Sequence, residues 1–254
     1  MTSPWANPSF GGAPATNMYR SHMYEFHGEL RQGRGEQPRP PVGPPSVGSM
    51  FCPIIVVALP PAGEPLGDDV LLQVRENMYR LLAAAFDDAG IGWADSRHEG
   101  RGDLVVIAVP PSVRAEVLLD DLVLRLRAGL RRHNKLASDI AQVRLRMGVH
   151  VGQLTFSPTG MSGTALTRLT DMVEAPAFVR AFTESAVEFG LVASDYMYDE
   201  VIRYEPGLIE AAAYDQIKVP TGHAHECAWA HFPSRPARPM RSAPSPSSRA
   251  REVA

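Results

Sequence analysis

The chain has 254 residues, 44% of them hydrophobic and 21% charged, and its 23 prolines gather toward the two ends. That composition suits a soluble chain with one folded domain of about 180 residues between Pro-rich tails. A net charge of −3 supplies no basic field for nucleic acid, no run of about 18 apolar residues supplies a membrane span, and no charged-then-apolar leader is present, so the expectation is a cytoplasmic protein with no nucleic-acid or membrane partner. Lys135 and Lys218 are the only lysines, an arginine bias that fits a GC-rich coding genome as well as any binding role. The two cysteines, Cys52 and Cys227, are far apart in apolar surroundings and read as free thiols of a reducing compartment. The eight histidines form no ligand cluster; His223 and His225 beside Cys227 come nearest, and a solvated loop explains them.

Residues 1–50 form a Pro/Gly/Ser/Asn-rich tail, expected to be disordered with polyproline character near 38–45. Inside it, Asn17 to Leu30 is unusually aromatic and is a candidate docking segment. Order is expected over 51–233. Ile54–Leu59 is a continuous apolar run closed by Pro60 and Pro61, the pattern of a strand buried on both faces. Apolar residues recur at three-to-four spacing over Asp68–Ala89, predicting an amphipathic helix with Asp68 as N-cap and Gly90 as its end. Ile91–His98 reads as a weaker strand, joined through a Gly100–Asp103 turn to the apolar strand Leu104–Val109.

Ser112 is expected to cap a second long helix to about Leu136, whose basic end, Arg131, Arg132, His133 and Lys135, suits the helix dipole. Val143–Phe156 alternates, with Val143, Leu145, Met147, Val149 and Val151 on one side and Arg144, Arg146, Gly148 and His150 on the other, which predicts a half-exposed strand with His150 on its polar face. Helices are expected at Thr164–Val173 and Ala177–Glu188, then a short strand Leu191–Ala193 and a helix Asp195–Ile202 capped by Ser194. Asp215–Val219 and Glu226–Phe232 make a terminal hairpin turning at Thr221–Gly222, and residues 234–254 are a basic Pro/Ser tail, again expected to be disordered. The order strand, helix, strand, strand, helix, strand predicts an α+β fold: a ferredoxin-like βαββαβ core with a C-terminal helical and strand extension.

Four stretches carry a family resemblance over residues 51–233. They are the first apolar strand with its helix ending MYRLLAAAFDDAGI, the hairpin GRGDLVVIAVPP, the strand RLRMGVHVGQLTF followed by SGTALTRLTDMVEAP, and LVASDYMYDEVIR with the terminal strand CAWAHF. Together they resemble the class III nucleotidyl (adenylate/guanylate) cyclase homology domain, in a stand-alone bacterial form. The resemblance implies two aspartates holding two divalent metals that neutralise a triphosphate and activate its 3′-hydroxyl. It also implies an Asn-x-x-x-Arg pair that orients the ribose and stabilises the transferring phosphate, and a Lys and Asp that read the purine edge. Many members work as dimers with their sites between subunits.

Set on this sequence, the hairpin aspartate is Asp103. The first-strand aspartate falls at Ala58 or Leu59, the Asn-x-x-x-Arg pair at Thr167 and Asp171, the base-reading lysine at Glu99 and its aspartate at about Gly160. Most of the expected chemistry is therefore lost, and at Asp171 a cation is replaced by an anion. Arg168 and the Asp68/Asp69 pair are the nearby stand-ins, and a neighbouring helical face and helix capping explain them without a catalytic role.

The expectation is a non-catalytic cyclase-like regulatory or interaction module in bacterial signalling. It carries no catalytic, cofactor-binding or metal residue, Asp103 being a vestige of the family's metal position. It needs no cofactor, acts as a homodimer, and leaves a nucleotide-sized groove open as a binding place. One alternative is an active cyclase with a rearranged site, which would need Mg²⁺ or Mn²⁺. Another is a scaffold that recruits a protein partner through Asn17 to Leu30.

Overall fold

The structure, a computed structural model, describes residues 48–60, 67–221 and 224–233. The tails and the Asn17 to Leu30 segment lie outside the described residues. Strand β1 (Gly48–Ala58) leads to helix α1 (Asp68–Asp88), the hairpin β2 (Arg97–Arg101) and β3 (Leu104–Ala108), helices α2 (Ala115–Leu119) and α3 (Asp121–Leu136), and strand β4 (Leu145–Ser157). These strands lie in the order β2-β3-β1-β4 with every neighbour antiparallel, which is the predicted ferredoxin-like core. The extension is β5 (Gly160–Ser162), α4 (Thr164–Glu174), α5 (Pro176–Ser185), β6 (Phe189–Ser194), α6 (Asp195–Glu200), β7 (Asp215–Thr221) and β8 (Ala224–His231). It lengthens the same sheet, with β6 parallel to β4, then β8 and β7, while the short β5 pairs with the far end of β4.

Successive residues of β1 enter opposite cores, as the unbroken apolar run predicts. Ile55 and Val57 pack with α1 and α3, around Met78, Phe86, Leu122 and Leu126. Ile54 and Val56 pack with α4 and α5, around Leu169, Phe178 and Phe182. The predicted alternation of β4 holds, but its second face is not solvated, because α4 covers it. Gly148 and Gly152 admit that helix: a Cβ on Gly148 would lie 2.5 Å from Val173 and 2.8 Å from Leu169, and one on Gly152 would lie 2.4 Å from Ala165. Arg146 is buried on the same face, donating to the carbonyls of Val173 and Leu59 at 2.7 and 3.1 Å.

His150 is therefore half-buried, not on an open polar face. Its Nδ1 is 2.8 Å from Ser194 Oγ, and the ring meets Tyr196 edge-on. Burial, with Arg168 nearby, pushes its pKa below the usual histidine value. Burial likewise lowers the pKa of His98 and of His231.

Four local expectations change. Asp68 lies inside the first turn of α1, and Gly67 takes the cap position without a side-chain bond. The strand predicted over Ile91–His98 begins only at Arg97, after a 3₁₀ turn at Trp93–Asp95 whose entry is held by Asp87 Oδ1 accepting from Trp93 N–H. The helix expected from Ser112 is two helices broken at Asp120, whose carboxylate leaves the helix axis to accept from Leu208 N–H. The Gly100–Asp103 turn tightens to Gly102 and Asp103 alone. Gly102 sits at φ +62°, a left-handed value that suits the first position of a two-residue hairpin loop. Ser194 does cap α6, accepting from Met197 N–H at 3.3 Å. The terminal hairpin pairs from Asp215↔Ala230 to Thr221↔Ala224, with residues 222–223 of its turn outside the described residues.

The glycine that admits α4 sets one prediction. Gly148→Ala must push Val173 and Leu169 apart in a filled core, and about 1–3 kcal/mol of destabilisation is expected by denaturant titration, while an exposed control, Thr167→Ala, changes little. The buried imidazoles set a second. A histidine whose folded pKa lies below its unfolded 6.5 favours the folded state fully above that pH and loses the contribution as pH falls. Unfolding free energy is expected to drop between about pH 7 and pH 5.5, and His150→Gln should flatten the fall measured by the same titration.

Candidate functional site

The tip of the β2–β3 hairpin packs against the end of β1, as the resemblance requires of its two metal-binding positions. Leu59 N–H donates to the backbone carbonyl of Asp103 at 3.1 Å, and Ala58 pairs with Leu104. The side chains do not repeat that meeting. Leu59 points into the core beneath α1 and α3 and is buried. The Asp103 carboxylate accepts from Arg75 Nη2 on α1, and this ion pair is open to water, with 36% and 58% of the two side chains exposed. A pair that open contributes at most about 1 kcal/mol to stability. Its local effect is to set a fixed cation beside the carboxylate. Among the described residues no group of three or more His, Cys, Asp or Glu converges as a metal site. One carboxylate facing a guanidinium, next to a leucine, does not fit a pair of hard cations that want several oxygens each.

Glu99 and Gly160, the positions to which the resemblance assigns base reading, are far apart in sequence and come together in space. Glu99 Oε2 accepts from Met161 N–H at 2.7 Å, and Oε1 accepts from Arg101 Nε at 2.8 Å. A Cβ on Gly160 would sit 2.6 Å from the Glu99 carboxylate. The missing side chain at 160 is thus the space that Glu99 uses. Arg101 completes a clamp by also donating to Met161 O, so β2 is held to β5 by charge and hydrogen bonds.

Thr167 and Asp171 share a shallow cavity of about 240 Å³ with Arg101, Ser162, Gly163, Leu166 and Thr170. Asp103 does not line it. Arg168, the stand-in cation, pairs instead with Glu226 on β8 at 3.3 Å. Asp68 and Asp69 open α1, where acidic side chains suit the helix dipole. Arg75 and Arg101 are the two side chains that reading the sequence missed. Both are ordinary surface arginines by pattern, and only the fold shows which carboxylate each meets. Cys52 is a free, buried thiol whose pKa burial raises to about 11, and Cys227 is free and half-buried. A wider depression of about 600 Å³ lies at the other end of β3, between the Gly90 turn and the Pro110–Arg114 loop, away from all of these positions.

No family model and no curated protein matches the sequence. Solved structures do resemble the fold. The crystal structure of the guanylyl cyclase Cya2 is similar with a TM-score of 0.50 at 12% identity, over 72% of this chain and 92% of that one. An adenylate/guanylate cyclase/hydrolase from Silicibacter pomeroyi is similar with a TM-score of 0.50 at 14% identity, over 72% of this chain and 96% of that one. At such identities the likeness is one of fold, and it agrees with the strand order and hairpin described above. Among the described residues no helix is long and apolar enough to cross a membrane. The chain has the fold of class III adenylate/guanylate cyclase domains.

Proposed function

We propose that this chain is a non-catalytic, cytoplasmic cyclase-fold module of bacterial signalling, a homodimer that acts through contacts with other proteins. The observation that carries this reading is the hairpin tip, where a buried Leu59 lies beside Asp103 and the Asp103 carboxylate faces Arg75. Two-metal chemistry at that place needs two carboxylates free to share hard cations. Asp171 adds a negative charge at the position where a cyclase neutralises the transferring phosphate, and losing one such donor already lowers rate by about two to three decades. The Glu99–Gly160 contact supports the same reading, because the base-reading pair is replaced by a contact that joins two strands.

The test is direct. The purified full-length chain, given ATP, GTP, CTP or UTP with Mg²⁺ or Mn²⁺, is expected to form no cyclic nucleotide above background, and Asp103→Ala is expected to leave that result unchanged. Turnover that disappears in Asp103→Ala would establish the alternative, an active cyclase with a rearranged metal site.

A further inference from the structure

Two large apolar side chains stand almost clear of the fold at the end of α3. Leu136 is 84% exposed, and Ile140, in the 3₁₀ turn Asp139–Ala141 that follows, is 63% exposed. The backbone that carries them is held in place. His133 Nε2 lies 3.1 Å from Ala141 O, and the buried Asn134 side chain exchanges two hydrogen bonds of 2.8 Å with the backbone of Val143. The apolar corner is thus built into the fold and is not a frayed helix end.

Cations surround it. From Leu122 to Val143 the chain carries Arg125, Arg127, Arg131, Arg132 and Lys135 against one carboxylate, Asp139, although its net charge is −3. Asp121, the other carboxylate of α3, opens the helix about 22 Å from Leu136. Neighbouring α1 adds Arg80, whose Nη2 is 3.5 Å from His133 Nδ1, and Glu76 one turn before it. The helix dipole accounts for cations in the last turn, but it gives no reason for an exposed leucine and isoleucine among them. The chain leaves the described fold against the same helix, where Arg127 donates to Pro233 O. From Ser234 to Arg251 the sequence then holds five arginines and no carboxylate.

We infer that the end of α3 docks on an anionic membrane surface, with Leu136 and Ile140 entering the boundary between headgroups and acyl chains and Arg132 and Lys135 meeting the anionic headgroups. A protein partner would have to supply a matching cavity for both protruding side chains, whereas a lipid interface accepts any apolar tip. Arginine and lysine suit the ring around it, because their stems lie along apolar surface while their charged ends stay in the polar layer. An apolar pair alone binds weakly and surface cations alone are screened by salt, so the dock needs both. It requires no spanning helix, and it revises the expectation that the chain has no membrane partner. None of these residues lies at the hairpin tip or lines the cavity of Thr167 and Asp171, so the inference stands apart from any result on nucleotide turnover.

Vesicle co-sedimentation of the full-length chain tests it. At about 0.1 M salt the wild type is expected to pellet with vesicles containing phosphatidylserine and to stay in solution with phosphatidylcholine alone. Leu136→Ser with Ile140→Ser leaves every charge in place and should weaken that binding at least about tenfold. Arg132→Glu with Lys135→Glu should abolish it. All four positions are exposed, and circular dichroism with thermal unfolding establishes that both variants fold. A wild type that ignores the anionic vesicles would overturn the assignment. Undiminished binding by the Leu136/Ile140 variant would overturn it in favour of a contact made by charge alone, and undiminished binding by the Arg132/Lys135 variant would remove α3 from the site. A wild type that passes over vesicles but binds double-stranded DNA, with that binding lost in the Arg132/Lys135 variant, would overturn it in favour of nucleic acid.

Discussion

Strand β4 has two buried faces, and α4 can lie on the second only because Gly148 and Gly152 project no side chain there. The rest of the molecule follows from that close approach. It brings the end of α4 within reach of Arg146, whose guanidinium joins Val173 to Leu59 and so fastens the end of β1 to the helix. On the same strand His150 is half-buried, with its Nδ1 2.8 Å from Ser194 Oγ. Burying an arginine and an imidazole is costly unless their polar atoms find partners, and carbonyls and the Ser194 hydroxyl meet most of that need.

The hairpin tip depends on the same scaffold. Because β1, β3 and β4 hold their register, Asp103 and Leu59 must lie side by side whatever their side chains do. The backbone approach of hairpin and first strand is thus kept whatever side chains stand there. Here Leu59 joins the core, Arg75 from α1 faces Asp103, and Glu99 fills the space that Gly160 leaves. Each of these residues adds a local contact to the fold, which supports the proposed reading of a module without catalytic chemistry.

Much of the fold was legible in the residues, because it rests on local periodicity. The unbroken run Ile54–Leu59, the three-to-four spacing of α1 and the alternation of β4 each specify an element and its apolar face, and Ser194 announced its helix by cap chemistry. What local pattern misled were places decided by distant contacts. Ser112 looked like a cap, and the apolar spacing beyond it ran on without a break. Yet Asp120 interrupts the helix to hold Leu208, a residue 88 positions away. Similarly, Arg144, Arg146 and His150 alternate like a solvated face, and nothing near them in the sequence shows that α4 lies above.

The candidate site divides along the same line. The sequence by itself determined which residue types stand where the resemblance places the cyclase positions, at Ala58 or Leu59, Glu99, Asp103, about Gly160, Thr167 and Asp171, because motif spacing is a property of the chain. Their pairings belong to tertiary structure. Arg75 meeting Asp103, Glu99 meeting Gly160 and Met161, and Arg168 turning to Glu226 are contacts between elements separated by 28 to 62 residues. Which charge neutralises which carboxylate is settled by how the sheet and helices bring those elements together, and no local pattern encodes that.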